Sequence, residues 1–144
     1  MTIVVHVDGL CEPVNPGGTA TYGYVIRNDA GGDVDRKSGI VGKGSGMSNN
    51  VAEYAALCEA LRFLVKEKMT RLPIEIRSDS RLVVNQMKGK WKFHKGLYAQ
   101  KYSEAKDLTA RFDIITFRWI RREANEEADA LSREAYSETT KNSI

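Results

Sequence analysis

Four acidic residues stand where a fold could gather them. Asp8 ends the β-branched run Ile3-Val4-Val5-His6-Val7, and Asp79 directly follows a second such run, Pro73 to Ser78. Glu53 and Asp129 each fall in the opening turn expected of a helix. Ligands of open α/β sheets bind at strand carboxyl ends, and the loops before both helices can return to that edge. Gathering four carboxylates costs free energy, because like charges repel and partial burial strengthens the repulsion. Hard divalent cations offset that cost, take oxygen ligands and often bridge to a substrate phosphate. Two such ions about 4 Å apart can serve both sides of an in-line phosphoryl displacement. Taken singly, an acid at a helix start is as readily a cap or a partner for the helix dipole. The four placements together point to a metal-dependent site.

The elements that must position these acids follow from periodicity. Ile3 to Asp8 reads as a buried strand, and Gly9 to Gly18 as a loop punctuated by Pro13, Asn15-Pro16 and Gly17-Gly18. Thr19 to Asn28 reads as a second strand, Asp29-Ala30-Gly31-Gly32 as a hairpin turn, and Val34 to Val41 as a third strand. Three strands with short links imply an antiparallel meander. After the loop Gly42 to Asn50, residues Tyr54, Leu57, Cys58, Leu61, Leu64 and Val65 trace the stripe of an amphipathic helix, with Asn49 or Asn50 as its cap. Pro73 to Ser78 is a fourth strand, Asp79 to Lys88 a short helix, and Tyr98, Tyr102, Ala105, Leu108 and Phe112 a further helical stripe. Ile114 to Ile120 is a fifth strand, and Asn125 to Tyr136 a last helix capped by Asn125. A meander followed by strand–helix alternation predicts an α/β fold, with a mixed five-stranded sheet and helices on its faces.

Composition narrows the class. The 144 residues suit one domain, expected over 1–136 with a polar, frayed tail at 137–144. No apolar run approaches the roughly 20 residues of a membrane helix. The opening residues lack a basic leader and a long apolar stretch, which favours a cytoplasmic protein. Cys11 and Cys58 show neither metal-ligand spacing nor a disulfide framework, and read as two reduced thiols. A net charge of +3 permits a polyanionic partner without demonstrating one. No interaction helix or heptad stands out, so a monomer is expected.

The local words are more specific than any single acid. Val7-Asp8-Gly9, Asn15-Pro16-Gly17-Gly18 and Tyr22-Gly23-Tyr24 resemble the opening of a type 1 ribonuclease H. Asn49-Asn50-Val51-Ala52-Glu53-Tyr54 resembles that family's first-helix motif, and Ser78-Asp79-Ser80 with Val83-Val84 its third. Arg121-Arg122-Glu123-Ala124-Asn125-Glu126-Glu127-Ala128-Asp129-Ala130-Leu131 resembles the last motif in its archaeal-type version. The match covers nearly the whole chain, in order. It implies the RNase H-like fold, a three-strand antiparallel meander plus two parallel strands. It also implies an endoribonuclease that cuts the RNA strand of RNA/DNA hybrids with two Mg²⁺ or Mn²⁺ ions, leaving 5′-phosphate and 3′-hydroxyl ends. Carried over by motif, Asp8 bridges both ions, Asp129 joins it at the ion that activates water, and Glu53 and Asp79 hold the ion nearer the leaving oxygen. Cleavage of double-stranded RNA by the same fold is an alternative, and a silent nucleic-acid-binding module a more distant one.

For substrate contact the resemblance points to Gly9, Leu10, Cys11 and Asn15 in the first loop. Ser48, Asn49 and Asn50 would act before the helix that carries Glu53. Amides and hydroxyls there can read the 2′-hydroxyl that distinguishes RNA from DNA, or simply cap the helix. The run Lys88-Gly89-Lys90-Trp91-Lys92-Phe93-His94-Lys95 interleaves lysines with aromatics, and Trp91 and Lys92 suit phosphate and sugar contact. Two departures from bacterial relatives stand out. The chain is too short for their basic helical protrusion. The stretch Ile120 to Asp129 also lacks their histidine, leaving Arg121, Arg122 or Glu123 as possible substitutes.

Overall fold

The computed structural model describes residues 1–141 of the chain. Its elements are β1 (Ile3–Glu12), β2 (Thr19–Asn28), β3 (Asp33–Lys43), α1 (Asn49–Lys66), β4 (Ile74–Ser78), α2 (Arg81–Met87), α3 (Ala99–Thr109), β5 (Ile115–Trp119) and α4 (Glu126–Lys141), with one 3₁₀ turn at Arg122–Ala124. One sheet runs in the order β3-β2-β1-β4-β5. The β1–β2 and β2–β3 pairs are antiparallel, and the β1–β4 and β4–β5 pairs parallel. This is the mixed five-stranded sheet expected from the sequence. None of the described helices is long and apolar enough to cross a membrane.

Alternation in β1 sends Ile3, Val5 and Val7 to one face, where they join Tyr54, Leu57, Leu61 and Leu64 of α1 in the core. Each fully buried leucine of that stripe contributes roughly 1.5–3 kcal/mol by leaving water. Alanines at 52, 55, 56 and 60 let α1 lie close to the sheet and suit a helix backbone. The other face is covered by α4, which packs on β1, β2 and β3.

Several boundaries differ from the sequence reading. β1 does not end at Asp8 but continues to Glu12, with Gly9 opposite Tyr22 and Leu10 opposite Thr21. Gly9 is a point of close approach: a Cβ there would lie 2.3 Å from the backbone carbon of Ala52 in α1. α1 is capped by Ser48, whose Oγ accepts from Val51 N, because the Asn49 side chain is engaged elsewhere. Glu53 accordingly sits in the second turn of α1, whose first turn carries no acid. α4 continues past Tyr136 to Lys141, so the expected frayed tail is helical over 137–141. Its residues 142–144 lie outside the described ones.

Candidate active site

Two close approaches bring three elements to one place. Gly9 lets the backbone of β1 touch α1 at Ala52 and Glu53. On the opposite face Gly23, paired with Asp8, lets α4 touch β2: a Cβ there would lie 2.5 Å from the Ala128 carbonyl oxygen and 2.8 Å from Ser132 N. Thr21 Oγ1 donates to the Ser132 carbonyl at 2.9 Å and fixes the same contact. A side chain at either glycine would push apart the elements that carry Asp8, Glu53 and Asp129.

Asp79 arrives by a different route. The β1–β4 pairing ends at Val7 opposite Ser78, so the next residues, Asp8 and Asp79, emerge together where the parallel strands part. Ser78 Oγ accepts from Ser80 N at 3.0 Å, and Ser80 Oγ accepts from Val83 N to cap α2. Trp119 Nε1 donates to the Asp79 carbonyl oxygen at 3.1 Å. The turn bearing Asp79 is thus held from β4, α2 and β5.

Carboxylate oxygens of Asp8, Glu53 and Asp79 lie within 4.8 Å of one another. They line a cavity of about 350 Å³, together with Asp129, Arg122, Arg133, Asn49, Asn15 and the β1 residues Gly9 to Glu12. Asp8 is buried, and its carboxyl is pushed up to about 8, first by burial and then by Asp79 and Asp129. Glu53 is raised well above the usual carboxylate range by burial, Asp8 and Asp79. Asp79 is also raised, chiefly by burial, although the Arg122 guanidinium pulls the other way. Glu53 Oε2 is sealed from solvent and has no hydrogen-bond partner. A buried, unpaired carboxylate oxygen costs several kcal/mol unless something compensates it. Three converging oxygens, with an orphaned oxygen on one of the same carboxylates, fit a hard divalent cation in donor type and charge.

Asp129 borders the cavity and is not one of the converging three; its Oδ2 accepts from Arg133 Nε at 3.0 Å, one helical turn on. Arg133 was not legible as a site residue; a basic residue four positions after an acid is common on any helix. Asn125 stands at the expected position immediately before α4, but its buried side chain bridges to β1. Its Nδ2 donates to the Val7 carbonyl at 2.9 Å, and its backbone carbonyl accepts from Asp129 N.

Of the expected substrate contacts, Gly9, Leu10, Cys11, Asn15 and Asn49 line the cavity. The Leu10 and Cys11 side chains are buried, and Cys11 Sγ donates to the Val14 carbonyl. Asn49 Oδ1 accepts from Cys11 N at 3.0 Å, while Asn49 N donates to Asn15 Oδ1 at 2.9 Å, which ties the β1–β2 hairpin to the start of α1. Ser48 and Asn50 do not line the cavity, and Ser48 is occupied as the cap. Trp91 and Lys92 lie in an exposed loop between α2 and α3, outside the cavity. Among Arg121, Arg122 and Glu123, only Arg122 lines it.

A sequence profile described as reverse transcriptase-like matches residues 6–135. Ribonuclease HI of Halobacterium salinarum is 36% identical over 121 residues, covering 84% of this chain and 58% of that protein. The crystal structure of RNase H1 from that archaeon superposes with a TM-score of 0.83 at 31% identity, over 96% of this chain and 99% of the other. The chain belongs to the type 1 ribonuclease H family. Bifunctional protein Rv2228c of Mycobacterium tuberculosis is 34% identical over 136 residues, 94% of this chain but 35% of its own length. The chain therefore spans about a third of the length of the first curated relatives it matches. LC11-RNase H1, solved in complex with an RNA/DNA hybrid, superposes with a TM-score of 0.87 at 31% identity, over 96% of this chain and 99% of that one.

Proposed function

We propose that this ribonuclease H is an endonuclease that hydrolyses the RNA strand of RNA/DNA hybrids, leaving 5′-phosphate and 3′-hydroxyl ends. The observation that carries this reading is the convergence of Asp8, Glu53 and Asp79 within 4.8 Å, with Glu53 Oε2 buried and unpartnered. Asp8, Glu53 and Asp79 would hold one divalent cation, and Asp8 with Asp129 a second, Mg²⁺ or Mn²⁺. Bound there, the cations supply Lewis-acid charge to the scissile phosphate and make an attacking water acidic enough to ionise near neutral pH. The protein's own part is positional. Gly9 and Gly23 bring the carboxylates together, and Asn125 locks β1 to α4. Arg122, the cation facing Asp79 across the cavity, is the residue best placed to do the work of the missing histidine. Gly9, Asn15 and Asn49 form the wall along which the RNA sugar-phosphate would lie, and the crystallised complex of LC11-RNase H1 supports a hybrid as the ligand.

The test is cleavage of an end-labelled RNA/DNA hybrid with Mg²⁺, with Mn²⁺ and with chelator, beside matched duplex RNA, single-stranded RNA and duplex DNA. Metal-dependent cutting confined to the RNA of the hybrid is the expected result. Folded protein that cuts nothing with either metal would overturn the reading. Cutting of duplex RNA as well would widen the substrate and keep the chemistry.

A further inference from the structure

Outside the acidic cavity, the most connected buried polar side chain is Gln86, near the end of α2. It is 1% exposed. Its Oε1 accepts from Tyr54 Oη at 2.6 Å, and its Nε2 donates to Tyr98 Oη at 3.1 Å and to the Lys92 carbonyl at 3.3 Å. Those three partners belong to three regions: the α1 turn beside Glu53, the N-terminal end of α3, and the exposed loop that links α2 to α3. Buried amides left unpartnered are costly, and networks of this kind fix one arrangement of the segments they join.

The loop itself is basic and aromatic, with Lys88, Lys90, Trp91, Lys92, Phe93 and Lys95 all exposed. Its first turn is tied to α2 through the Asn85 carbonyl, which accepts from Lys90 N and Trp91 N at 2.9 and 3.1 Å. Farther on, Phe93 stacks on Tyr102 at 4.5 Å between ring centroids and meets the Tyr98 ring edge-on. Tyr98 in turn stacks on Tyr54. Among the described residues, Gln86 is the one side chain that bonds the loop backbone and both tyrosines at once. It touches none of the acids in the cavity.

We propose that Gln86 is a positioning residue for hybrid binding. It holds the Lys88–Lys95 loop in register with the helix that carries Glu53, so that substrate affinity depends on it while the chemical step and cation binding do not. The proposal rests on the hybrid-cleaving activity proposed above and on contact between this loop and the hybrid.

Gln86→Met keeps the volume and removes all three hydrogen bonds. Tyr98→Phe removes one and keeps the ring stack, and it decides the matter if Gln86→Met does not fold. Trp91→Ala and Lys92→Ala report on the loop itself. Steady-state cleavage of hybrid should show KM raised about three- to ten-fold in Gln86→Met with kcat within about twofold, the range expected when one or two net hydrogen bonds are lost. Tyr98→Phe should give a smaller rise. Mg²⁺ titrations without substrate should superpose on wild type. Brief trypsin digestion should cut after Lys88, Lys90 and Lys92 sooner than elsewhere. A lower Tm with unchanged KM, or faster digestion spread evenly along the chain, would make Gln86 merely structural and overturn the proposal. Unchanged KM in both Trp91→Ala and Lys92→Ala would remove the loop from the substrate and the proposal with it, yet leave the hybrid-cleaving activity standing. Wild-type protein that cuts no hybrid would instead remove that activity.

Discussion

Two groups of charges meet α4 within three residues of each other, and they are built on opposite principles. Asp129 borders a cavity where Asp8, Glu53 and Asp79 face one another with little compensation, and Asp8 is pushed up to about 8. Glu127 lies on the other side of the helix start, in a fan of guanidinium groups. Arg27 meets it with two nitrogens, Arg36 adds a contact at 2.8 Å, and Arg27 also binds Asp33. Those partners hold the Glu127 carboxyl down to about 2. Residue type does not distinguish the two groups. The paired cluster is complete as it stands, whereas the unpaired one costs stability until a cation arrives, as expected of a functional site.

The widest way to test that contrast is to neutralise one member of each cluster and compare activities. Asp79→Asn keeps the shape of the side chain and removes one charge from the unpaired group. Cleavage of hybrid should fall by at least about a hundredfold, with the circular dichroism spectrum unchanged. The same change at Glu127 should leave kcat within about twofold, since Glu127 lines no part of the cavity. Comparable losses at both positions would erase the distinction.

Stability should separate the clusters by sign. The folded state holds a proton on Asp8 that the unfolded chain gives up near pH 4, so the metal-free protein loses stability as pH rises from about 4 to about 8. Asp8→Asn removes that dependence. Metal-free Asp8→Asn should melt several degrees higher than wild type at pH 8, since each kcal/mol is worth roughly 2–4 °C in a domain of this size. Near pH 4 the two should converge. Thermal melts in chelator across that range measure it, and a lower Tm for Asp8→Asn at pH 8 would mean that the acid is compensated in the metal-free protein.

The unpaired cluster was legible in the sequence and its compensation was not, for a physical reason. Asp8, Glu53, Asp79 and Asp129 each stand in a local word whose strand or helix can be read from periodicity. The cavity then needs Gly9, which opens a loop in the sequence reading, and Gly23, which lies inside a strand there; the need for both shows only once Ala52 and Ala128 are placed against them. For the same reason β1 was read four residues short: Gly9 suggests a break, and only pairing with Thr19–Tyr22 carries the strand through it. Ser48 rather than Asn49 caps α1 because Asn49 is drawn away by Cys11 and Asn15, contacts more than thirty residues distant. Nothing in the sequence singles out Gln86; its hydrogen bonds come from Tyr54, Tyr98 and Lys92.

Arg133 sharpens the contrast, because among the described residues it makes the one ion pair that intrudes on the unpaired cluster. Its guanidinium holds Asp129 Oδ2, so a cation that binds through that oxygen competes with it. Exposed pairs one turn apart are worth about 0.3–0.5 kcal/mol, so Arg133→Gln should tighten the weaker phase of a Mg²⁺ or Mn²⁺ titration about twofold and leave the tighter phase unchanged. Isothermal titration without substrate reads both. Identical isotherms would confine cation binding to Asp8, Glu53 and Asp79.

The smallest expected effect belongs to the paired cluster. Glu127 is held down by its arginines, so its contribution to stability is present at neutral pH and is lost as pH falls from about 4.5 toward 2. The pairs are half exposed, and screening discounts them. Glu127→Gln should therefore lower Tm by about 1–3 °C at pH 7. The difference should shrink in 1 M salt and vanish near pH 2. This dependence runs opposite to that of Asp8, so a double variant, Asp8→Asn with Glu127→Gln, should show a flatter stability profile between pH 3 and 8 than wild type. If the two changes fail to add, the clusters communicate through the first turn of α4, and the arginine fan is part of how Asp129 is held.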